Sequence, residues 1–401
     1  MEAALSRDRP GPGVTGTTGH ERIRIGIDAS NLREGGGVTH LVELLRAAKP
    51  DEHGIERIVI WAGRKTLKQV PARPWMDLIH EPLLDDSWVK RIYWQRVIAS
   101  RLRQKRCDLL FSPGGTYLGT FRPFVTMSRN MLPFEYPEMR RYGISSMFVK
   151  LLLLRRAQVA SFRKADGLIF LSGYAKMVIE KALSGYLRST VTIPHGVDGR
   201  FQSVSRPHRS IASCSPEDPF RILYVSTVAP YKHQWQVVEA VVALKRSGHS
   251  VALDLIGPAH PASLRRLRKV LEENDSEGSF IRYLGALLYA ELPGHYLGAD
   301  AFVYASSCEN LPNILLEAMA SGLPIACSNR GPMPEVLGDA GVYFDPERPE
   351  EISMALKTLL EDTGLRERHA RSARERALLH TWERCARETF EFLAAVARGS
   401  S

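Results

Sequence analysis

Two glutamates, Glu309 and Glu317, stand on either side of a turn and offer carboxylates for binding or catalysis. Glu309 closely follows an apolar run at 301–305 that predicts a buried parallel strand. Glu317 lies eight positions on, within a predicted helix at about 314–321. Proline at the start of this helix and Gly322 just past its end are typical helix boundaries. The sequence therefore predicts a carboxylate at a strand end and a second one inside the next helix.

The turn between the two glutamates predicts a site for an anion. In open α/β sheets, ligands bind outside the carboxyl ends of the strands, and a helix N-terminus there favours negative charge. Two carboxylates beside such a terminus suit a ligand with hydroxyl groups at both ends and phosphate between them. We therefore expect a sugar nucleotide, bound by Glu317 and by the turn residues Asn310, Leu311, Pro312 and Asn313.

Two series of strands alternate with helical segments, which predicts an α/β fold with two doubly wound, Rossmann-like domains. The first series is predicted at 23–28, 58–61, 78–80, 109–112, 124–127, 168–171 and 191–194. The second is predicted at 222–226, 251–257, 281–284, 301–305, 325–328 and 342–344. We predict a disordered tail at 1–20, an acceptor domain at 21–200, a linker at 201–220, a nucleotide-sugar domain at 221–380 and a C-terminal helix at 381–401.

The segment from 301 to 339 resembles the signature of retaining glycosyltransferase family 4, also called the group 1 glycosyltransferases. The resemblance rests on Glu309 and Glu317 at this spacing, followed by a helix end rich in small residues and by Gly-Leu-Pro. It extends from about 22 to 395 and implies the GT-B architecture, in which two domains face each other across a cleft. It also implies that the last helix crosses back to the first domain.

The resemblance assigns further residues to the donor. A glycine-rich loop with Gly36 and Gly37 is expected to close over the donor diphosphate. In relatives the loop after the first strand of the second domain supplies an arginine and a lysine to the diphosphate. Lys232 matches the lysine, and we predict a catalytic role for it, as for Glu309. Thr227 stands in the place of the arginine, and Arg330 is a candidate substitute or a solvent-facing residue.

Two positions of the first domain depart from the family pattern. Many relatives have a histidine where this chain has Ser128 or Arg129. We predict that Arg129 is a catalytic residue, which could stabilise phosphate charge or hold an anionic acceptor, and a purely structural role is the alternative. His195 replaces the usual asparagine, and we predict that it lines the cleft in a structural role.

The composition indicates acidic partners and a reducing compartment. The net charge is +10, and two stretches, 88–106 and 140–164, each carry seven Lys or Arg and no acid. Basic amphipathic helices suit an anionic membrane surface, although they equally fit one face in the core and one in water. Nucleic-acid binding is not expected, since no recognised motif accompanies the charge. The five cysteines show no metal-ligand spacing, which favours the reducing cytoplasm. If the basic helices bind lipid, the protein would attach peripherally to the inner face of the membrane.

Together with these observations, the resemblance implies a retaining hexosyltransferase that takes a nucleotide-sugar donor and acts in cell-surface polysaccharide synthesis. Its acceptor would be a glycan or a lipid-linked precursor, and no cofactor or metal is expected. One alternative is a GT-B epimerase or phosphorylase. The other is a non-catalytic sugar-nucleotide-binding protein, which Thr227 and the missing histidine motivate. The base, the sugar and the acceptor are not predicted.

Overall fold

A computed structural model describes residues 22–33, 35–85, 88–185, 187–202 and 208–399, with backbone alone at 88–89. The tail predicted at 1–20 and residues 203–207 of the predicted linker lie outside the described residues. The described part forms two parallel sheets, one of seven strands and one of six, each with helices around it. This confirms the predicted fold class.

The first sheet has the strand order β3-β2-β1-β4-β5-β6-β7. Its strands are β1 (Ile23–Asp28), β2 (Ile55–Ala62), β3 (Met76–His80), β4 (Leu109–Ser112), β5 (Phe124–Met127), β6 (Gly167–Phe170) and β7 (Ser189–Thr192). The helices of this first domain are α1 (Gly36–Ala47), α2 (Arg64–Leu67), α3 (Trp88–Gln104), α4 (Tyr136–Arg140), α5 (Ser146–Lys164) and α6 (Gly173–Ala182).

The second sheet has the strand order β10-β9-β8-β11-β12-β13. Its strands are β8 (Phe220–Val225), β9 (Val251–Ile256), β10 (Ile281–Gly285), β11 (Ala301–Tyr304), β12 (Ile325–Ser328) and β13 (Val342–Phe344). The helices that follow β8 are α7 (Gln234–Arg246), α8 (Pro261–Asn274), α9 (Leu292–Gly298), α10 (Asn313–Ala320), α11 (Met333–Leu337), α12 (Pro349–Glu361), α13 (Thr363–Ala377) and α14 (Trp382–Ala397).

The central strands are buried on both faces, which explains why they read as continuous apolar runs rather than as alternating ones. All residues of β4, β5, β11 and β12 are buried. Each predicted strand has its counterpart in the structure, with ends that differ by a few residues. The helix predicted at 314–321 begins one residue earlier and ends one residue earlier, at Ala320. Gly322 follows it with φ at +69°, a conformation that glycine adopts without strain.

The last helix, α14, packs against α1 and β4 of the first domain. Phe392 lies against Gly167 of β6, where a Cβ atom would come within 2.9 Å of the ring. Near the end of the helix, Arg398 Nη2 donates to the carbonyl of His53 over 2.7 Å. The chain thus begins and ends its folded part in the same domain.

Candidate functional site

A cleft of about 710 Å³ lies between the two domains, at the carboxyl ends of strands from both sheets. The first domain contributes the loop after β1, Arg129 after β5, and His195. The second domain contributes the loop after β8, Lys232 and the segment from β11 into α10. The cleft therefore brings together most of the predicted site residues: Gly36, Gly37, Arg129, His195, Thr227, Lys232, Glu309, Asn310, Leu311, Pro312, Asn313 and Glu317.

Glu309 and Lys232 form an ion pair at the centre of this cleft. Lys232 Nζ contacts Glu309 Oε1, and the side chains are 8% and 17% exposed. The hydroxyl of Tyr304, the last residue of β11, donates to the same carboxylate oxygen. A short 3-10 helix, Pro230–Lys232, directs the lysine into the cleft, and His233 follows in a left-handed conformation. A ligand phosphate would therefore compete with Glu309 for the ammonium group of Lys232.

The N-terminus of α10 opens into the same cleft beside Glu309. Pro312 is its N-cap, and no side chain caps the first amides of the helix. These amides are available to a ligand, and the helix dipole favours a negative charge there. An anion at this point would lie between the helix terminus and Lys232. The turn can therefore hold a phosphate group without contribution from a further side chain.

Glu317 lies one turn further along α10 and is only 4% exposed. Tyr289 and Tyr296 donate hydroxyl hydrogens to its carboxylate, over 3.0 Å and 3.2 Å. Burial raises the pKa of Glu317 to about 7, against the lowering effect of both tyrosine hydrogen bonds. The carboxylate still lines the cleft and can accept further hydrogen bonds from ligand hydroxyl groups.

Arg129 links the end of β5 to the glycine-rich loop after β1. Its Nη2 donates to the carbonyl of Gly36 over 2.7 Å, while Nη1 is buried without a hydrogen-bond partner among the described residues. Burial lowers the pKa of its guanidinium to about 10, so the group remains charged at neutral pH. A buried cation with an unsatisfied N–H at the wall of a cleft is suited to bind an anion.

His195 is buried, and its ring contacts the turn before α10. Nε2 lies 3.3 Å from the carbonyl of Leu311, and Nδ1 lies 3.2 Å from that of Gly196. The ring also stacks on Trp382 of α14, with ring centroids 5.8 Å apart. Burial lowers the pKa of His195 to about 4, which keeps the imidazole neutral. The contacts fit a positioning role for this residue, as the sequence suggests.

Asn310 ties the turn before α10 to the first domain. Its Nδ2 donates to Ser128 Oγ over 3.1 Å, and its carbonyl accepts from Ser172 Oγ over 2.7 Å. Nearby, Ser307 Oγ donates to Glu138 Oε2 of α4 over 2.7 Å. These bonds hold the loop that carries Glu309 against the opposite domain. The side chain of Asn310 is thus engaged in contact between domains.

Arg330 lies after β12, but its guanidinium is not among the groups that line the cleft. Nη2 contacts Asp345 Oδ2 at 2.7 Å, and the side chain is 50% exposed. The sequence could not reveal this competing carboxylate, which lies fifteen positions away. Thr227 does line the cleft, and its carbonyl accepts from Gln234 Nε2 over 3.0 Å. The structure therefore does not bring the predicted substitute for the missing arginine into the site.

Three tyrosines of the site were not predicted from the sequence: Tyr289, Tyr296 and Tyr304. Tyr304 is the last residue of the strand that leads to Glu309, so its place at a strand end was a usable signal. Tyr289 and Tyr296 reach Glu317 from the segment between β10 and β11, and no spacing in the sequence relates them to that glutamate.

The sequence profile of a family described as "Glycosyl transferases group 1" matches residues 208–376, which cover the second sheet and α13. A curated relative, the O-antigen chain mannosyltransferase B of Escherichia coli, is 38% identical over 123 residues. That alignment covers 31% of this chain and 32% of the relative. The alignments with the first three curated relatives each cover less than half of the length of the relative.

Solved structures match the fold over nearly the whole chain. Sucrose-phosphate synthase from Thermosynechococcus elongatus superimposes with a TM-score of 0.69 at 16% identity, covering 94% of this chain and 100% of the other. The Anabaena protein HepE, in complex with UDP and glucose, gives a TM-score of 0.65 at 16% identity, covering 93% and 100%. At these identities the likeness establishes the GT-B fold. The matched profile thus shows that residues 208–376 are similar to the group 1 glycosyltransferases, within a chain that has the GT-B fold.

Proposed function

We propose that this protein is a retaining glycosyltransferase that moves a hexose-type sugar from a nucleotide-sugar donor to a glycan or lipid-linked acceptor. The observation that carries the proposal is the meeting, in one cleft, of Glu309, Lys232, Glu317 and the uncapped N-terminus of α10. The name of the Escherichia coli relative supports a role in cell-surface polysaccharide synthesis. The UDP and glucose in the Anabaena structure support a nucleotide-sugar donor.

The donor would extend along α10 from Glu317 to Glu309. Glu317 would accept the ribose hydroxyl groups, and the helix amides together with Lys232 would hold the diphosphate. Glu309 would then face the sugar, where it can accept hydrogen bonds from two of its hydroxyl groups. This order follows the chain, since Glu309 precedes the N-terminus of α10, Glu317 lies inside the helix, and both line the cleft.

Retention and independence of metal are parts of the same proposal. Lys232, Arg129 and the helix dipole would together stabilise the negative charge that develops on the leaving diphosphate. That phosphate would itself take the proton from the acceptor hydroxyl, so that no protein base is required. The neutral His195 is engaged with backbone carbonyls and is not needed for proton transfer.

The proposal is tested by thermal shifts with UDP, GDP, ADP and dTDP, followed by donor turnover with and without EDTA. A nucleotide at 100 times its Kd should stabilise the protein by about 2.7 kcal/mol. Turnover should be the same in EDTA. A protein that none of the four nucleotides stabilises would contradict the proposal.

One observation favours a second candidate, a protein that binds sugar nucleotides without transfer. Thr227 offers no cation, and Arg330 is held by Asp345 outside the cleft, so the diphosphate would meet fewer charges than in relatives. Release of sugar from the donor distinguishes the two candidates. Donor binding without any hydrolysis or transfer would favour the second.

Glu317→Gln should weaken binding of the selected nucleoside diphosphate, because Gln retains one acceptor but loses the charge. The wild-type affinity should also rise with pH through about 7, since protonated Glu317 accepts fewer hydrogen bonds from ribose. At pH 6 the wild type should bind up to about tenfold more weakly than at pH 8. Calorimetric titration measures both effects, and the variant corrects for titration of the phosphate itself. An unchanged affinity in the variant would show that Glu317 does not bind ribose.

The same substitution should change stability without ligand. The pKa of Glu317 lies above its ordinary value of 4.5, so its favourable contribution is complete below pH 4.5 and is lost as pH rises through about 7. Glu317→Gln should therefore melt at a higher temperature than the wild type at pH 8, and the difference should shrink at pH 5. A variant that melts lower at pH 8 would contradict the assigned cause of this pKa.

We also propose that α5 attaches the protein to the cytoplasmic face of an anionic membrane. Its exposed face carries Val149, Leu152 and Leu153 in the first turns, and Arg156 and Arg163 further along. These positions follow helical spacing, so apolar and basic groups share one side. Ile144, in the loop before the helix, is fully exposed. No helix in the described ranges is long and apolar enough to cross a bilayer.

Arg156, Arg163 and Lys164 should be needed for binding to anionic vesicles, because they are exposed cations near the apolar turns of α5. Replacing all three with Gln should weaken vesicle binding and reduce its dependence on salt, as measured by sedimentation. Arg155 is left in place, since it donates to the carbonyl of Pro133. The matched control replaces Arg265, Arg268 and Lys269, three exposed cations of α8. Wild-type protein that ignores anionic vesicles at low salt would refute the proposal.

A further inference from the structure

A second cavity, of about 570 Å³, lies in the first domain beside the carboxyl ends of β1 and β2. Its walls come from the loop after β1, from α2 and from α3. The same loop supplies Arg33 to this cavity and, a few residues later, the glycines that line the donor cleft. One loop therefore separates the two cavities, which places the second one close to where an acceptor must approach the donor.

Two arginines, Arg33 and Arg91, line this cavity. Arg91 Nε is buried and has no hydrogen-bond partner in the part of the chain that the structure describes. Among the described residues, Arg33 Nη2 donates to the carbonyl oxygen of Asp85, over 3.2 Å. The pKa of Arg91 is lowered, first by burial and then by the charge of Arg33. Cations that line one cavity, one of them with a buried N–H that lacks a partner among the described residues, are typical of groups that bind an anion.

The one described acid in the wall of the cavity is already engaged. Asp85 Oδ1 accepts from the backbone N–H of Arg64 over 2.7 Å, and Oδ2 lies 2.6 Å from His80 Nε2. Contact with His80 is the main reason why the pKa of Asp85 is lowered. Its carboxylate thus serves the fold around α2, and among the described residues it makes no hydrogen bond to the guanidinium groups of Arg33 and Arg91.

We propose that this cavity binds a phosphate or diphosphate group carried by the sugar acceptor. Guanidinium groups bind phosphate through paired N–H donors, and a partly buried site strengthens each such bond. The proposal that Arg33 and Arg91 bind an anion rests on the structure of this cavity and does not depend on the proposed function. The assignment of that anion to the acceptor rests on the proposed glycosyl transfer, in which the acceptor must lie next to the donor.

Inorganic pyrophosphate is the probe for the site. Because pyrophosphate could also enter the donor cleft, binding is measured in Lys232→Met protein, by calorimetry, before and after Arg91→Gln is added. Arg91→Gln should weaken pyrophosphate binding at least tenfold, as expected for the loss of a charge-assisted bond. Arg96→Gln is the matched control, since Arg96 lies on the same helix and is exposed. Equal pyrophosphate affinities with and without Arg91 would overturn the proposal.

The melting temperature of each variant shows whether a loss of pyrophosphate binding is caused by misfolding. Arg91→Gln removes a guanidinium whose buried Nε has no hydrogen-bond partner among the described residues, so the variant should melt no lower than the Lys232→Met parent. Arg33→Gln gives a second test at an exposed position and should weaken pyrophosphate in the same direction. If Arg33→Gln and Arg91→Gln both fold as the parent does and both bind pyrophosphate as the parent does, the cavity is not a phosphate site.

The source of the phosphate is found by competition against pyrophosphate. A sugar phosphate in solution and a polyprenyl diphosphate in vesicles are compared, and competition by either one in an Arg91-dependent manner supports the proposal. In the transfer reaction, Arg91→Gln should then raise the acceptor KM about tenfold and leave the donor KM unchanged. The two proposals can fail separately. If pyrophosphate binding depends on Arg91 but the protein binds no nucleotide, the anion site is supported and the proposed glycosyl transfer is contradicted.

Discussion

Replacement of Glu309 by Ala should reduce kcat by about 10²-fold or more, with nucleoside diphosphate still bound. The carboxylate lies at the end of β11, where it can hold two sugar hydroxyl groups and stabilise positive charge that builds on the ring. A group that acts mainly on the transition state lowers kcat rather than donor affinity when it is removed. The measurement is steady-state transfer together with calorimetric titration of the diphosphate.

The ion pair with Lys232 makes this prediction sharper. Without Glu309, the ammonium of Lys232 loses its partner and becomes available to the diphosphate. Glu309→Ala should therefore bind nucleoside diphosphate as tightly as the wild type, or more tightly. Glu309→Gln retains the shape of the side chain and one hydrogen-bond acceptor, so its kcat should lie between those of the wild type and Glu309→Ala. A Glu309→Ala protein that transfers sugar at the wild-type rate would refute the assigned role.

The fold and the two glutamates were accessible from the sequence because each depends on local pattern. Apolar runs marked the strands, and proline with glycine marked the ends of α10. Since the residue after a parallel strand lies at the ligand edge of the sheet, the place of Glu309 followed from its neighbours. The sequence predicts Glu317 beside the same anion site, and its side chain does line the cleft.

The partners of these residues were not accessible, because they come from distant parts of the chain. Tyr289 and Tyr296 enclose Glu317, and Glu138 of the first domain accepts from Ser307 of the second. Such contacts arise only when two sheets are placed face to face. The same holds for Asp345, which holds Arg330 away from the cleft. A sequence pattern can nominate a charged residue, but it does not show which opposite charge reaches it first.

The ion pair also explains how one cleft can serve both the empty and the loaded protein. Lys232 and Glu309 neutralise each other when no donor is present, so neither charge is left alone in a largely buried place. A bound diphosphate would take over the lysine, and the carboxylate would turn to the sugar hydroxyl groups. The donor would thus break the ion pair but give each of its members a new partner, the diphosphate for Lys232 and the sugar hydroxyl groups for Glu309.

Lys232→Met should have the second large effect. Methionine retains most of the apolar stem, but it lacks the ammonium group, which lies near the rings of Tyr231 and Tyr304, and so it cannot neutralise phosphate. Loss of one charge-assisted contact of about 1.5–3 kcal/mol should weaken the binding of nucleoside diphosphate by about 10- to 150-fold. The rate should fall further, by about 10²-fold, because charge on the leaving group grows in the transition state. Binding of the nucleoside without phosphate should be unchanged.

The double variant Lys232→Met with Glu309→Gln separates the ion pair from the chemistry. Each single change leaves one charge without its partner, whereas the double variant leaves none, so the three melting temperatures should not be additive. The double variant should be more stable than the sum of the single losses predicts, although it remains as inactive as the worse single variant. Lys245→Met is the control, a partly buried lysine over Phe280 whose side chain does not line the cleft. Additive melting temperatures, together with diphosphate affinity that Lys232→Met leaves unchanged, would mean that the lysine serves neither the pair nor the donor.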